Sequence, residues 1–81
     1  MSFEIRITSG ARKHGLTRAR IEQAINNQRL SDTIETNGTD PKIYFAGSDD
    51  RGVELEIVAV VLPRMLLIIH AMPTRYRKKS R

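Results

Sequence analysis

Val53-Glu54-Leu55-Glu56-Ile57-Val58-Ala59-Val60-Val61-Leu62, then Pro63-Arg64, then Met65-Leu66-Leu67-Ile68-Ile69-His70-Ala71-Met72 is the stretch whose reading decides the fold. Val53, Leu55, Ile57, Ala59 and Val61 alternate with Glu54 and Glu56, and further on with Val58, Val60 and Leu62. That is the period of two of a β-strand. The pattern predicts a strand half exposed at its start and covered on both faces later. Pro63-Arg64 suits a tight turn, and the nearly unbroken apolar run after it predicts a second strand near the centre of a sheet. The run from Ile57 to Ile69 spans 13 residues and is interrupted by Pro63-Arg64, so it is too short to cross a bilayer.

Upstream of this hairpin, Lys42 to Gly47 reads as a strand through Ile43, Tyr44 and Phe45. Asp49-Asp50-Arg51-Gly52 links it to the next strand as a hairpin, with Gly52 at a position that needs unusual backbone angles. Asn37-Gly38-Thr39-Asp40-Pro41 is the strongest turn signal in the chain, and the looser alternation over residues 30 to 36 suggests a modest edge strand before it. Thr17 reads as a helix cap, with Leu16 and Ile21 placed to form a hydrophobic staple. Ile21, Ala24 and Ile25 share one helical face, and Asn26-Asn27 weaken the propensity, so the helix should end near residue 28. Ser9 can cap a short helical turn through Ala11-Arg12-Lys13-His14, which Gly15 ends. Phe3 to Thr8 alternates as a first strand. The expected fold class is α+β: an N-terminal strand and one or two helices packed on a mostly antiparallel, curved sheet of four to five strands.

The chain has 81 residues, of which 40% are apolar and 28% charged, the composition of one small globular domain. Residues 1–73 are read as that domain and 74–81 as a basic tail or short helix. There is no cysteine, which excludes a disulfide framework, a thiolate metal site and a thiol nucleophile. The first residues offer no apolar stretch of the kind a secretory signal needs, so a soluble, cytoplasmic protein without a membrane segment is expected.

The net charge of +5 is segregated. Residues 1–30 carry six Lys or Arg against two acids, residues 31–64 three against seven, and residues 65–81 five against none. Two basic ends flank an acidic middle. A fold that joins the ends would create one basic face able to attract phosphates, with an acidic flank behind it.

Several chemistries lack their residues. Two histidines 56 positions apart, without a partner motif, do not make a zinc site. The loop from Phe45 to Gly52 lacks the lysine and spacing of a phosphate-cradling motif, and no serine sits in a strand-to-helix elbow. No cofactor or metal is expected. What remains is the set a metal-independent ribonuclease needs: one group to take the 2′-hydroxyl proton, one to protonate the leaving oxygen, and cations for the developing charge. His14 and His70 are the natural proton carriers. Arg12, Lys13, Arg75, Arg77 and Lys78 supply positive charge, and Tyr76 can stack on a base or donate a proton. Each also has a plainer account: His14 as the partner of helix-end carbonyls, His70 as a core histidine bonded to backbone, and the basic ending as a solvated terminus.

Lys13-His14-Gly15-Leu16 before a helix, Ile43-Tyr44-Phe45-Ala46-Gly47 with Asp50-Arg51-Gly52, an apolar hairpin and a basic ending together resemble the BrnT-type toxins. These are small members of the RelE-like ribonuclease toxins of type II toxin-antitoxin systems. The likeness runs from about residue 6 to 77. It implies a RelE-like fold, mRNA cleavage that blocks translation, and neutralisation by a cognate antitoxin. It also implies that Arg51 lies near the basic face. The ending departs from the family: His70-Ala71-Met72-Pro73-Thr74-Arg75-Tyr76-Arg77 has Met72 where the family has an arginine, and it lacks the family's glutamate. Arg75 is then the replacement cation, or the protein is a non-catalytic relative that keeps RNA binding. A third reading is a protein-interaction module that uses the edge near residues 31–36. A homodimer is a further open possibility, since small domains hide apolar faces by pairing.

Overall fold

The computed structural model describes residues 4–34 and 40–76. Phe3, the Asn37-Gly38-Thr39 part of the expected turn, and Arg77, Lys78, Lys79 and Arg81 lie outside the described residues. In chain order the elements are β1 (Glu4–Ile7), a 3-10 turn (Ser9–Arg12), α1 (Arg18–Asn26), β2 (Gln28–Ile34), β3 (Lys42–Ser48), β4 (Glu54–Leu62), β5 (Met65–Pro73) and a second 3-10 turn (Thr74–Tyr76). The strands form one open sheet in the order β1-β5-β4-β3-β2. β2, β3, β4 and β5 pair antiparallel, whereas β1 joins β5 in parallel through Ile5↔Leu66 and Ile7↔Ile68, so the sheet is mixed.

One face of the sheet carries the core. Ile43, Phe45 and Gly47 of β3 oppose Ala59, Ile57 and Leu55 of β4, and those oppose Ile68, Ala71 and Pro73 of β5. α1 lies over β3 and β4 and adds Ile21, Ala24 and Ile25. Ile21, Leu55, Ile57 and Ile68 are fully buried, each contributing about 1.5–3 kcal/mol of transfer free energy. Ala11 and Leu16 close the same core beside β5.

Thr17 caps α1 as its spacing predicts: its side-chain oxygen accepts from the Arg20 N–H at 3.2 Å. Replacing Thr17 by alanine is expected to cost about 1 kcal/mol, a fall of roughly 4–8 °C in the melting temperature of a domain this size. A Thr17→Ser protein should melt close to the native chain, which separates loss of the cap from loss of the methyl group.

One α-helix forms, within the expected one or two, and the second apolar strand, β5, lies near the centre, one place off the middle that β4 occupies, because β1 adds outside it. Two expectations are corrected. The segment before Gly15 is a 3-10 turn in which Ser9 is the first residue rather than the cap, with no side-chain cap at Thr8. Exposure along β4 runs opposite to the reading: Leu55, Glu56 and Ile57 are buried, while Val58, Val60, Val61 and Leu62 are half-buried. Alternation reports which way a side chain faces, but the position of α1 decides how the core-facing residues Leu55 and Ile57 are covered. The Pro63-Arg64 turn forms as expected and carries Arg64 at φ +80°. β2 is an edge strand that begins two residues earlier than expected and is exposed from Gln28 to Ile34; residues 35 and 36 of the expected range lie outside the described residues.

Candidate nucleic-acid interface

Described residues of the two basic segments, Arg12 and Lys13 of the first and Arg75 of the last, lie at one end of the sheet. The last residue of β5, Pro73, lies opposite Leu55 at the start of β4, so the Asp49–Gly52 turn and the second 3-10 turn lie at the same end. β1 runs parallel to β5 and delivers the first 3-10 turn against it. The imidazole of His14 then meets the ring of Tyr76 edge-on, with centroids 5.7 Å apart. The Arg75 guanidinium carbon stands 5.4 Å from the centre of that same ring. Tyr76 keeps 52% of its surface exposed in spite of both contacts, which leaves ring area on which a base could stack.

Ion pairs remove much of the acidic middle. Asp49 pairs with Arg20 and Glu54 with Arg29, while Glu56 is hydrogen-bonded to His70. Among the described residues Arg12, Lys13, Arg51 and Arg75 make no ion pair, and all four are exposed. Asp50, exposed in the same turn as Arg51, lowers the local charge by one.

Asp49 organises the turn that presents Arg51. Its Oδ1 accepts from the backbone N–H of Arg51 at 2.8 Å and of Val53 at 2.9 Å, and its Oδ2 accepts from Arg20 Nε at 2.7 Å. Burial raises the carboxyl pKa. The Val53 N–H, the Arg20 guanidinium and the Arg51 N–H outweigh that effect and hold it below its ordinary value. At the other end of α1, Asn27 donates its side-chain amide to the Ser48 carbonyl at 2.9 Å. Both ends of the helix are therefore fastened to the strand that leads into the turn.

His70 is set apart from the aromatic cluster. Continuing the pairing Leu62↔Met65, Val60↔Leu67, Ala59↔Ile68 would bring His70 opposite Ile57, toward the core. The register instead shifts by one, Ile69 is left without a partner, and His70 lies opposite Val58 on the face away from α1. This is a β-bulge re-aiming a side chain. There His70 Nε2 is 2.9 Å from Glu56 Oε2; the histidine side chain is 37% exposed and that of the glutamate 9%.

The structure thus joins His14, Arg75 and Tyr76, places Arg12, Lys13 and Arg51 around that end, and gives His70 a carboxylate as its partner. Arg77 and Lys78 lie outside the described residues. The expectation of His70 as a core residue bonded to backbone does not match its position. Glu56 and Asp49 escaped the sequence reading as site-building groups, since one passes for a solvent-facing strand residue and the other for a turn former. A glutamate in a run that is otherwise apolar from Leu55 to Leu62 was the available signal. Among the described residues no three His, Asp or Glu side chains cluster as a metal site requires, and no helix is long and apolar enough to cross a membrane. The chain matches no model of a known protein family, no curated protein and no solved structure.

Proposed function

We propose that this chain is a toxin-like, RNA-directed ribonuclease with a RelE-like fold, held in check by a cognate antitoxin and acting in the cytoplasm. The observation that carries the reading is the contact of His14 with Tyr76, which brings Arg12 and Lys13 to the end of the sheet that holds Arg75. Arg12, Lys13, Arg51 and Arg75 supply the phosphate-binding charge, and Tyr76 supplies the stacking face. His70 takes the proton of a ribose 2′-hydroxyl. The freed oxygen attacks the adjacent phosphorus, the bond to the 5′-oxygen breaks, and that leaving oxygen takes a proton from water. Arg75 meets the charge that develops on the phosphorane. The products are a 2′,3′-cyclic phosphate and a 5′-hydroxyl, with no metal required.

The second reading, a non-catalytic RNA-binding protein, draws on the same basic surface and on the absence of an arginine at Met72. Inducing the native chain and a His70→Ala, Arg75→Ala variant, both verified as folded, distinguishes the two. The ribonuclease arrests growth and fragments RNA in the presence of a chelator, and the double variant loses about 100-fold or more of that activity. A folded native chain that neither slows growth nor cuts free or ribosome-bound RNA, yet still retains RNA, transfers the case to the binding protein.

A further inference from the structure

We infer that Glu56 is the positioning residue that makes His70 a proton acceptor at one defined atom, Nδ1; the inference rests on the ribonuclease reading and extends it. A carboxylate oxygen accepts hydrogen bonds and donates none. At 2.9 Å from Glu56 Oε2, Nε2 carries the proton of the neutral imidazole, and Nδ1 holds the lone pair. A base oriented by a buried third group is the recurring arrangement of activated histidines.

Three features of the chain converge on this pair. The bulge at Ile69 turns His70 onto the face that Glu56 occupies. Glu56 is 7% exposed, flanked across the sheet by Ala46 of β3 and Met72 of β5, so its carboxylate is largely withdrawn from water and held toward the ring. His70 remains 37% exposed at its side chain, so a substrate can reach the ring. A salt bridge retained for stability alone does not require one partner to stay accessible or the strand to be interrupted in order to reach it. On the ribonuclease reading, the proton that Nδ1 takes is that of a ribose 2′-hydroxyl.

The test uses the full chain with His70 labelled with nitrogen-15, together with steady-state cleavage of a short single-stranded RNA. In the native protein above the pH at which the imidazole is neutral, the nitrogen shifts should report the Nε2–H form. Glu56→Gln, which keeps the shape but can also donate, should mix the two tautomers and lower kcat by about 100-fold or more with KM unchanged. Glu56→Asp, which restores the charge at a shorter reach, should recover part of the loss. Native cleavage with unchanged kcat in a folded Glu56→Gln protein overturns the inference, as does an Nδ1–H tautomer in the native chain. Absence of cleavage by the folded native protein overturns the ribonuclease reading, and the catalytic role of Glu56 with it, while the nitrogen shifts still report whether the pair exists. If Glu56→Gln fails to fold, native-like kcat in the Asp variant, whose carboxylate sits farther from Nε2, likewise counts against positioning.

Discussion

Gly47→Ala should lower the melting temperature by about 15 °C or more, the largest effect expected of any single methyl group in this chain. A Cβ at Gly47 would stand 2.3 Å from the carbonyl oxygen of Ala24, 2.9 Å from the Cα of Gln28 and 3.0 Å from the carbonyl oxygen of Asn27. All three atoms belong to the backbone, so no side chain can swing aside. Relief requires the last turn of α1, and the start of β2 behind it, to lift from the sheet. Overpacking of this kind costs about 3 kcal/mol or more, a large part of the few kcal/mol by which a domain this size is stable, and each kcal/mol shifts the midpoint by roughly 4–8 °C. Thermal and urea melts followed by circular dichroism check it. A midpoint within a few degrees of the native chain would mean that the helix does not sit as close to β3 as described.

The second large effect belongs to Asp49. Its side chain is fully buried, and the Arg20 side chain is 18% exposed. Asparagine can still accept from the Arg51 and Val53 N–H groups, but it leaves the guanidinium without a counter-charge. Removing one partner of a buried pair costs about 3–5 kcal/mol, so Asp49→Asn should be near the limit of folding at 37 °C. The pH dependence gives the sign. The folded-state pKa of Asp49 is depressed, so its contribution is complete above the unfolded value, near 4. It is lost as pH falls through the lower folded value. Urea midpoints of the native chain and the Asn variant should therefore differ most near neutrality and converge on acidification below about pH 4. A gap that stays constant down to strongly acid pH would show that the carboxylate charge is not what holds α1 to the turn.

These two positions also mark where the sequence was legible and where it was not. Local signals were readable: the Thr17 cap, the apolar face of Ile21, Ala24 and Ile25, the Gly52 turn and the Pro63-Arg64 hairpin each follow from neighbours a few residues apart. The closeness of Gly47 to α1 was not, because a glycine in a strand signals some near approach without saying of what. Nor was the parallel addition of β1 to β5, since alternation fixes the faces of a strand but not its partner. The histidine illustrates the same limit within the site. His70 could be singled out by its type as a candidate proton carrier, but its orientation depends on a one-residue bulge among isoleucines that no propensity marks. Glu56 was hidden by the rule that a charge in an alternating strand faces water. The convergence of the basic ends was foreseen only as a condition; the His14 to Tyr76 contact brings Arg12 and Lys13 to the end that holds Arg75, and Arg77, Lys78, Lys79 and Arg81 lie outside the described residues.

The parallel pairing of β1 with β5 has a consequence for how the molecule is made. Thr8 donates both its N–H and its hydroxyl to the carbonyl of Ile68, 60 positions later. During synthesis at about 5–20 residues per second, β1 emerges roughly 3–12 s before its partner and has no strand to join until then. The surface shared by His14 and Tyr76 is subject to the same delay. In a nascent chain that surface is therefore incomplete until residue 76 has cleared the ribosome, and the order of translation itself keeps His14 and Tyr76 apart while the protein is being built.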